Sequence, residues 1–182
     1  GNNLSLHLLE LFTSQVAKVG MTDGIRQVLQ EESDALRAYY EQAGILIARP
    51  AGGTSCRLAI SAKGGTNAEN HNHNDVGSYA VALGSETMVG DQGGPNSYPG
   101  DYFNGDAPQK YKIKGSFGHP VPVVDGRTQS SGGKAKGVVL QKEFTNEKDV
   151  FSIDYTSAYS TPNLDKLIRT FVYDRQGKGS FT

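Results

Sequence analysis

The stretch Gly77-Ser78-Tyr79-Ala80-Val81-Ala82-Leu83-Gly84-Ser85-Glu86-Thr87-Met88-Val89 decides how the chain folds. Residues 77–83 and 87–89 are β-prone runs, and the Gly84-Ser85 pair between them suits a hairpin turn. Similar runs lie upstream at 45–49 and 56–62, and downstream at 121–124, 137–144, 150–155 and 167–173. Asp125-Gly126 and Gln176-Gly177 supply further turn signals. Many short strands at this spacing predict an antiparallel β-sandwich or barrel.

Composition agrees. The 182 residues allow one good-sized domain, with room for a small appendage. Abundant Gly (23 residues), nine Tyr, seven Phe and no Trp, with an apolar share of 36%, favour turn-rich β structure over a helical bundle. A net charge of −1 gives no general attraction to nucleic acid or to an anionic membrane. No run of about 20 apolar residues offers a membrane-spanning helix. Cys56 is alone, so the chain has no internal disulfide and its compartment cannot be read from cysteine.

The first forty or so residues read differently. Leu4, Leu8, Leu11, Phe12, Gln15 and Val19 recur at a helical period, and Gly20 suits a helix stop. Thr22 and Asp23 offer N-caps to a second helix carrying Ile25, Val28, Leu29, Leu36 and Tyr39, with Gly44 placed to end it. Residues 1–43 are therefore expected to be helical and 44–182 to form the β-domain. The start at Gly1 and the turn before residues 180–182 suggest a piece of a longer polypeptide, with the sandwich cut short.

Chemistry-bearing residues concentrate in Asn70-His71-Asn72-His73-Asn74-Asp75. Two of the four histidines lie here, Asp91 follows, and His119 sits in another turn-rich segment. An extended backbone would point His71, His73 and Asp75 to one face, a two-histidine, one-carboxylate metal set. The interleaved asparagines favour a loop instead. A second set, His73, Asp91 and His119, would be assembled from separate segments and leave a fourth tetrahedral position, as zinc sites do. His71 would then be free for proton transfer or substrate charge. Spacing alone leaves both sets open.

A wider pattern surrounds these residues. Lys63-Gly64-Gly65-Thr66-Asn67-Ala68-Glu69-Asn70-His71-Asn72-His73-Asn74-Asp75-Val76-Gly77-Ser78-Tyr79 resembles the hallmark of the heparinase II/III-like polysaccharide lyases. Gly90-Asp91-Gln92-Gly93-Gly94, then Asp101-Tyr102-Phe103, then the run from Ser116 through His119 to Gly126 follow in the family's order. Asp154-Tyr155-Thr156-Ser157-Ala158-Tyr159 and Arg169 resemble its next strands, so the likeness covers roughly residues 44–175. It implies a mainly β fold, an antiparallel β-sandwich of the supersandwich kind, preceded by one or two α-helices closing an (α/α) toroid. It also implies β-elimination on uronic-acid-containing polysaccharides such as glycosaminoglycans or alginate. By position, His73, Asp91 and His119 would hold zinc and His71 would line the cleft as the catalytic candidate. One departure is Pro120, where the family often carries a small polar residue. The toroid's catalytic Tyr and its further Asn or His groups have no counterpart here, so this polypeptide alone is expected to be inactive. The resemblance further implies an anionic polysaccharide partner, a periplasmic or secreted setting, and a homodimer as one arrangement.

In such an elimination, polar groups beside the uronate carboxylate stabilise the enolate-like intermediate while a base takes the α-proton and an acid, often Tyr, protonates the leaving oxygen. Asn70 and Tyr102 are candidates for substrate contact, and Lys63 for loop orientation or contact. A structural zinc that pins three loops is favoured over a Lewis acid, because elimination needs no hydrolytic water. Lys110, Lys112 and Lys114 alternate as on a half-exposed strand, with steering of an anionic polymer as their other reading. Lys134 and Lys136 read as solvated loop charges, His7 as a helix residue, and Asp75 as a brace of its loop. The rival function is a non-catalytic carbohydrate-binding sandwich with a structural metal. A cupin-like oxidase lacks its Glu after the His-x-His pair.

Overall fold

The computed structural model describes residues 35–90 and 97–182. Antiparallel strands dominate it. The first sheet joins β1 (Arg37–Tyr40), β2 (Ile45–Ala48), β3 (Leu58–Lys63), β5 (Tyr79–Leu83) and β6 (Glu86–Val89) in the order β1-β2-β3-β5-β6. The two-residue β4 (Thr66–Asn67) pairs with β7 (Gly132–Lys136). The second sheet has the order β11-β10-β9-β8, from β8 (Val138–Phe144), β9 (Lys148–Asp154), β10 (Ile168–Asp174) and β11 (Ser180–Phe181). The only α-helix among the described residues is α1 (Ala107–Lys110), a single turn. The fold is mainly β and sandwich-like, as the strand spacing predicts.

Alternation explains how the sheets meet. Leu46 and Ala48 of β2, and Ile60 and Ala62 of β3, point inward, while Phe151 and Ile153 of β9 and Phe171 and Tyr173 of β10 answer them. Phe151 and Phe171 are register partners and stack at 6.3 Å. Tyr39 meets Phe144 and Phe151 edge-on, and Tyr79 packs against Phe171 and Phe181, so aromatic contacts join the two sheets into one core.

One corner is tied by charge. The fully buried Asp149 carboxylate accepts from Arg37 Nε at 2.8 Å and from Arg175 Nη2. Arg175 also donates to the carbonyls of Arg49 and Leu36 at 2.7 and 2.9 Å. This links the start of β9 to the start of β1 and the end of β2.

Several expectations are corrected. The predicted second helix reached Gly44, yet Arg37–Tyr40 is a strand whose register runs along β2. Leu36 and Tyr39 stand three apart, which mimics a helical stripe, but Tyr39 belongs to the aromatic contacts between the sheets. Gly44 instead takes the left-handed φ of 61° in the β1–β2 turn. The rest of the helical segment, His7 included, lies outside the described residues. Residues 121–124 make only an isolated bridge, Val124 to Arg127, since Pro120 and Pro122 have no N–H to give a ladder. Lys110, Lys112 and Lys114 ride on α1 and a 3₁₀ turn, not on a strand, and Lys114 is buried. Lys134 and Lys136 are exposed as expected, but on β7.

Candidate functional site

The Asn-His run is not extended. Between β4 and β5 the chain makes an irregular excursion, and His71 adopts a positive φ of 58°. Asn and His tolerate that region better than most side chains. The three acidic and basic groups consequently diverge, and the strand-borne trio His71, His73 and Asp75 does not form. His73 turns to His119, Asp75 turns to Lys63, and His71 lies outside on an aromatic ring.

His73 Nδ1 and His119 Nε2 are 3.0 Å apart, with ring centroids at 5.0 Å. His119 follows a 3₁₀ turn at Ser116–Gly118. Gly118 is required there, because a Cβ would fall 2.3 Å from the Ile113 carbonyl oxygen. Burial holds the His73 imidazole below its ordinary pKa, and the neighbouring His119, Lys114 and Lys63 push the same way against Asp75. A neutral imidazole is the form that ligates metal. Asp91, the third expected ligand, lies outside the described residues. Among the described residues no group of three or more His, Cys, Asp or Glu side chains converges.

Asp75 is buried and pairs with Lys63 Nζ at 2.5 Å, while its backbone N–H donates to Asn67 Oδ1 and its carbonyl accepts from Ser78. It braces the loop through an ion pair as well as backbone bonds. Asn70 is exposed beside His71.

His71 is exposed and stacks on Phe103, with centroids 4.2 Å apart and planes inclined by 30°. Phe103 and Tyr98, 5.1 Å from each other, present open ring surface. Tyr102 does not share that exposure. It is 1% exposed, its ring lies under Tyr98, Phe103 and Tyr111, and its hydroxyl has no hydrogen-bond partner among the described residues. Its ring surface therefore supports the loop, and Phe103 holds the outward position.

Lys114 is the residue a sequence reading misplaces most. Its ammonium donates to the Tyr102 carbonyl at 2.7 Å and lies 4.6 and 5.1 Å from the Tyr102 and Phe103 ring centres. Burial lowers its pKa. Its carbonyl accepts from the Asn74 N–H at 2.8 Å, so it joins the aromatic loop to the histidine loop. Gln129 was likewise unsignalled, being one polar residue in a Ser- and Gly-rich run.

The fold defined by these sheets has a counterpart among solved structures. A mutant of the heparan sulfate lyase HepC from Pedobacter heparinus superposes with a TM-score of 0.61 at 16% identity. The likeness covers 91% of this chain and 25% of that one, so the chain spans about a quarter of the lyase's length. No family model matches the chain, and no curated protein sequence does. What the comparison establishes is a shared fold with a polysaccharide lyase.

Proposed function

We propose that this chain is part of a polysaccharide lyase that cleaves uronic-acid-containing chains by β-elimination, and that it carries the metal site and one wall of the cleft. The observation that carries the reading is the facing of His73 and His119 within a fold shared with a heparan sulfate lyase. His73 and His119, with Asp91, would hold zinc. Two nitrogens bound to one tetrahedral zinc at about 2.0–2.1 Å stand roughly 3.3 Å apart, so a pair at 3.0 Å needs only a small opening. When bound, the ion would cross-link the loops that carry its ligands.

The reacting atoms would be handled by groups on the exposed side. In the elimination a base removes the proton α to the carboxylate, the bond to the 4-linked oxygen breaks, a C=C bond forms and an acid protonates the departing oxygen. His71, stacked on Phe103, would meet the uronate carboxylate and stabilise the enolate-like charge as it builds. Phe103 and Tyr98 offer ring faces on which a sugar can stack, and Asn70 adds a hydrogen-bonding edge.

Two measurements test this. Purified protein should carry zinc, lost in His73→Ala and in His119→Ala; full occupancy in both variants would remove the ligand assignment. The whole protein acting on heparan sulfate, alginate or another uronate polymer should generate the ultraviolet absorbance of an unsaturated product. Polymer binding with no such product on any of them would replace the lyase with a binding-only sandwich.

A further inference from the structure

We infer that Gln129 and Arg169 are positioning residues that set the facing of His73 toward His119. Both histidines lie on irregular segments, where no sheet ladder fixes one relative to the other. Contacts that do so converge on these two residues, through the Gln129 backbone as well as its amide and through the Arg169 guanidinium.

Gln129 is fully buried and treats Val76 as a strand partner would. Its Nε2 donates to the Val76 carbonyl at 2.6 Å, and its Oε1 accepts from the Val76 N–H at 3.0 Å. The same Oε1 accepts from Asn67 Nδ2 at 2.9 Å, and the Gln129 carbonyl accepts from Asn74 Nδ2 at 3.0 Å. Its own N–H donates to Ser116 Oγ at 3.0 Å, three residues before His119. One residue thus grips the histidine loop on both sides of His73 and also the turn leading to His119.

Arg169 completes the link from the opposite sheet. It sits at the start of β10, and its Nη1 donates to the Gly77 carbonyl at 2.6 Å and to the Pro120 carbonyl at 2.8 Å. Those carbonyls lie four residues after His73 and one after His119. Its guanidinium rests between the rings of Tyr79 and Tyr155, at 5.3 and 5.7 Å. A buried amide is a costly way to fill space that an apolar side chain could fill. Its fully matched bonds instead impose one relative position on two segments.

The inference concerns the imidazole pair itself and does not need the lyase reading. Its test is imidazole ¹⁵N NMR on the metal-free chain, with wild type compared against Gln129→Met, Arg169→Met and Arg169→Lys. Wild type should show a slowly exchanging imidazole N–H shared between the two rings. Arg169→Met and Gln129→Met should lose it while the Phe151 and Phe171 amides keep their exchange protection, and Arg169→Lys, which retains a donor, should recover it. Zinc affinity should fall in the two Met variants, because the two rings are then no longer held facing each other. An unchanged imidazole signal in Arg169→Met overturns the inference, as does loss of the core amide protection along with it. Arg169→Met decides alone if Gln129→Met does not fold. Absence of zinc from wild type would remove the metal reading and leave this one standing.

Discussion

His73 Nδ1 and His119 Nε2 face each other at 3.0 Å although 46 positions separate them along the chain. At that distance the two nitrogens can share one proton as donor and acceptor, whereas two imidazolium rings repel. The pair therefore favours at least one neutral ring.

That preference has a pH consequence. Burial, first, and then His119 hold the His73 pKa below its ordinary 6.5 in the fold. The unfolded chain then binds more protons than the native one in that window, so stability rises with pH there. Metal-free protein should be at full stability above the ordinary imidazole value and lose stability as pH falls through it toward the lowered one. Urea unfolding across this range checks the slope, and His73→Gln should flatten it. An equal slope in that variant would assign the effect elsewhere.

Removing the outer ring of the stack should affect polymer binding and little else. Phe103→Ala takes away an exposed ring face on which a sugar would stack, and a stacked aromatic contact contributes about 0.5–1.5 kcal/mol. Affinity for a uronate polymer should fall roughly 2–12-fold by that amount, measured by calorimetry, with thermal stability nearly unchanged.

Asp149 should prove far more sensitive. Asp149→Ala strands two arginines, Arg37 and Arg175, the latter almost wholly buried. Breaking a buried pair from one side typically costs about 3–5 kcal/mol, which denaturant unfolding would register as a large fall in midpoint. A loss under about 1 kcal/mol would mean that water reaches the cluster freely.

Gly118→Ala tests the turn that presents His119. Its Cβ would meet the Ile113 carbonyl carbon as well as the oxygen, both closer than van der Waals contact allows. A destabilisation of about 1–3 kcal/mol is expected, together with loss of the shared imidazole proton.

How far the sequence reaches varies along the chain. Most strands of the two larger sheets from residue 45 onward were legible because alternating apolar residues and turn dipeptides are local signals, and β9 and β10 formed within a residue or two of their expected spans, whereas the polar β4 and β7 gave no such signal. Residues 35–43 were misread because a spacing of three fits a helix and the strand's evidence lies in its partner, β2. The lysine run was misread for a similar reason. Alternation predicts a strand, but two prolines and four glycines nearby break the chain into short turns, one of which buries Lys114.

By itself the sequence determined that this is a mainly β chain with its histidines concentrated in a polar loop, and it left open how His71 and His73 divide. It left Asp75 as a brace without its partner. Only the tertiary structure decided that His73 meets His119, that Asp75 meets Lys63, and that Tyr102 lies beneath Phe103. Those outcomes depend on how irregular segments far apart in the chain are tied together, by Gln129, Arg169 and Lys114, and a hydrogen bond across such distance leaves no periodic mark in the residues that make it.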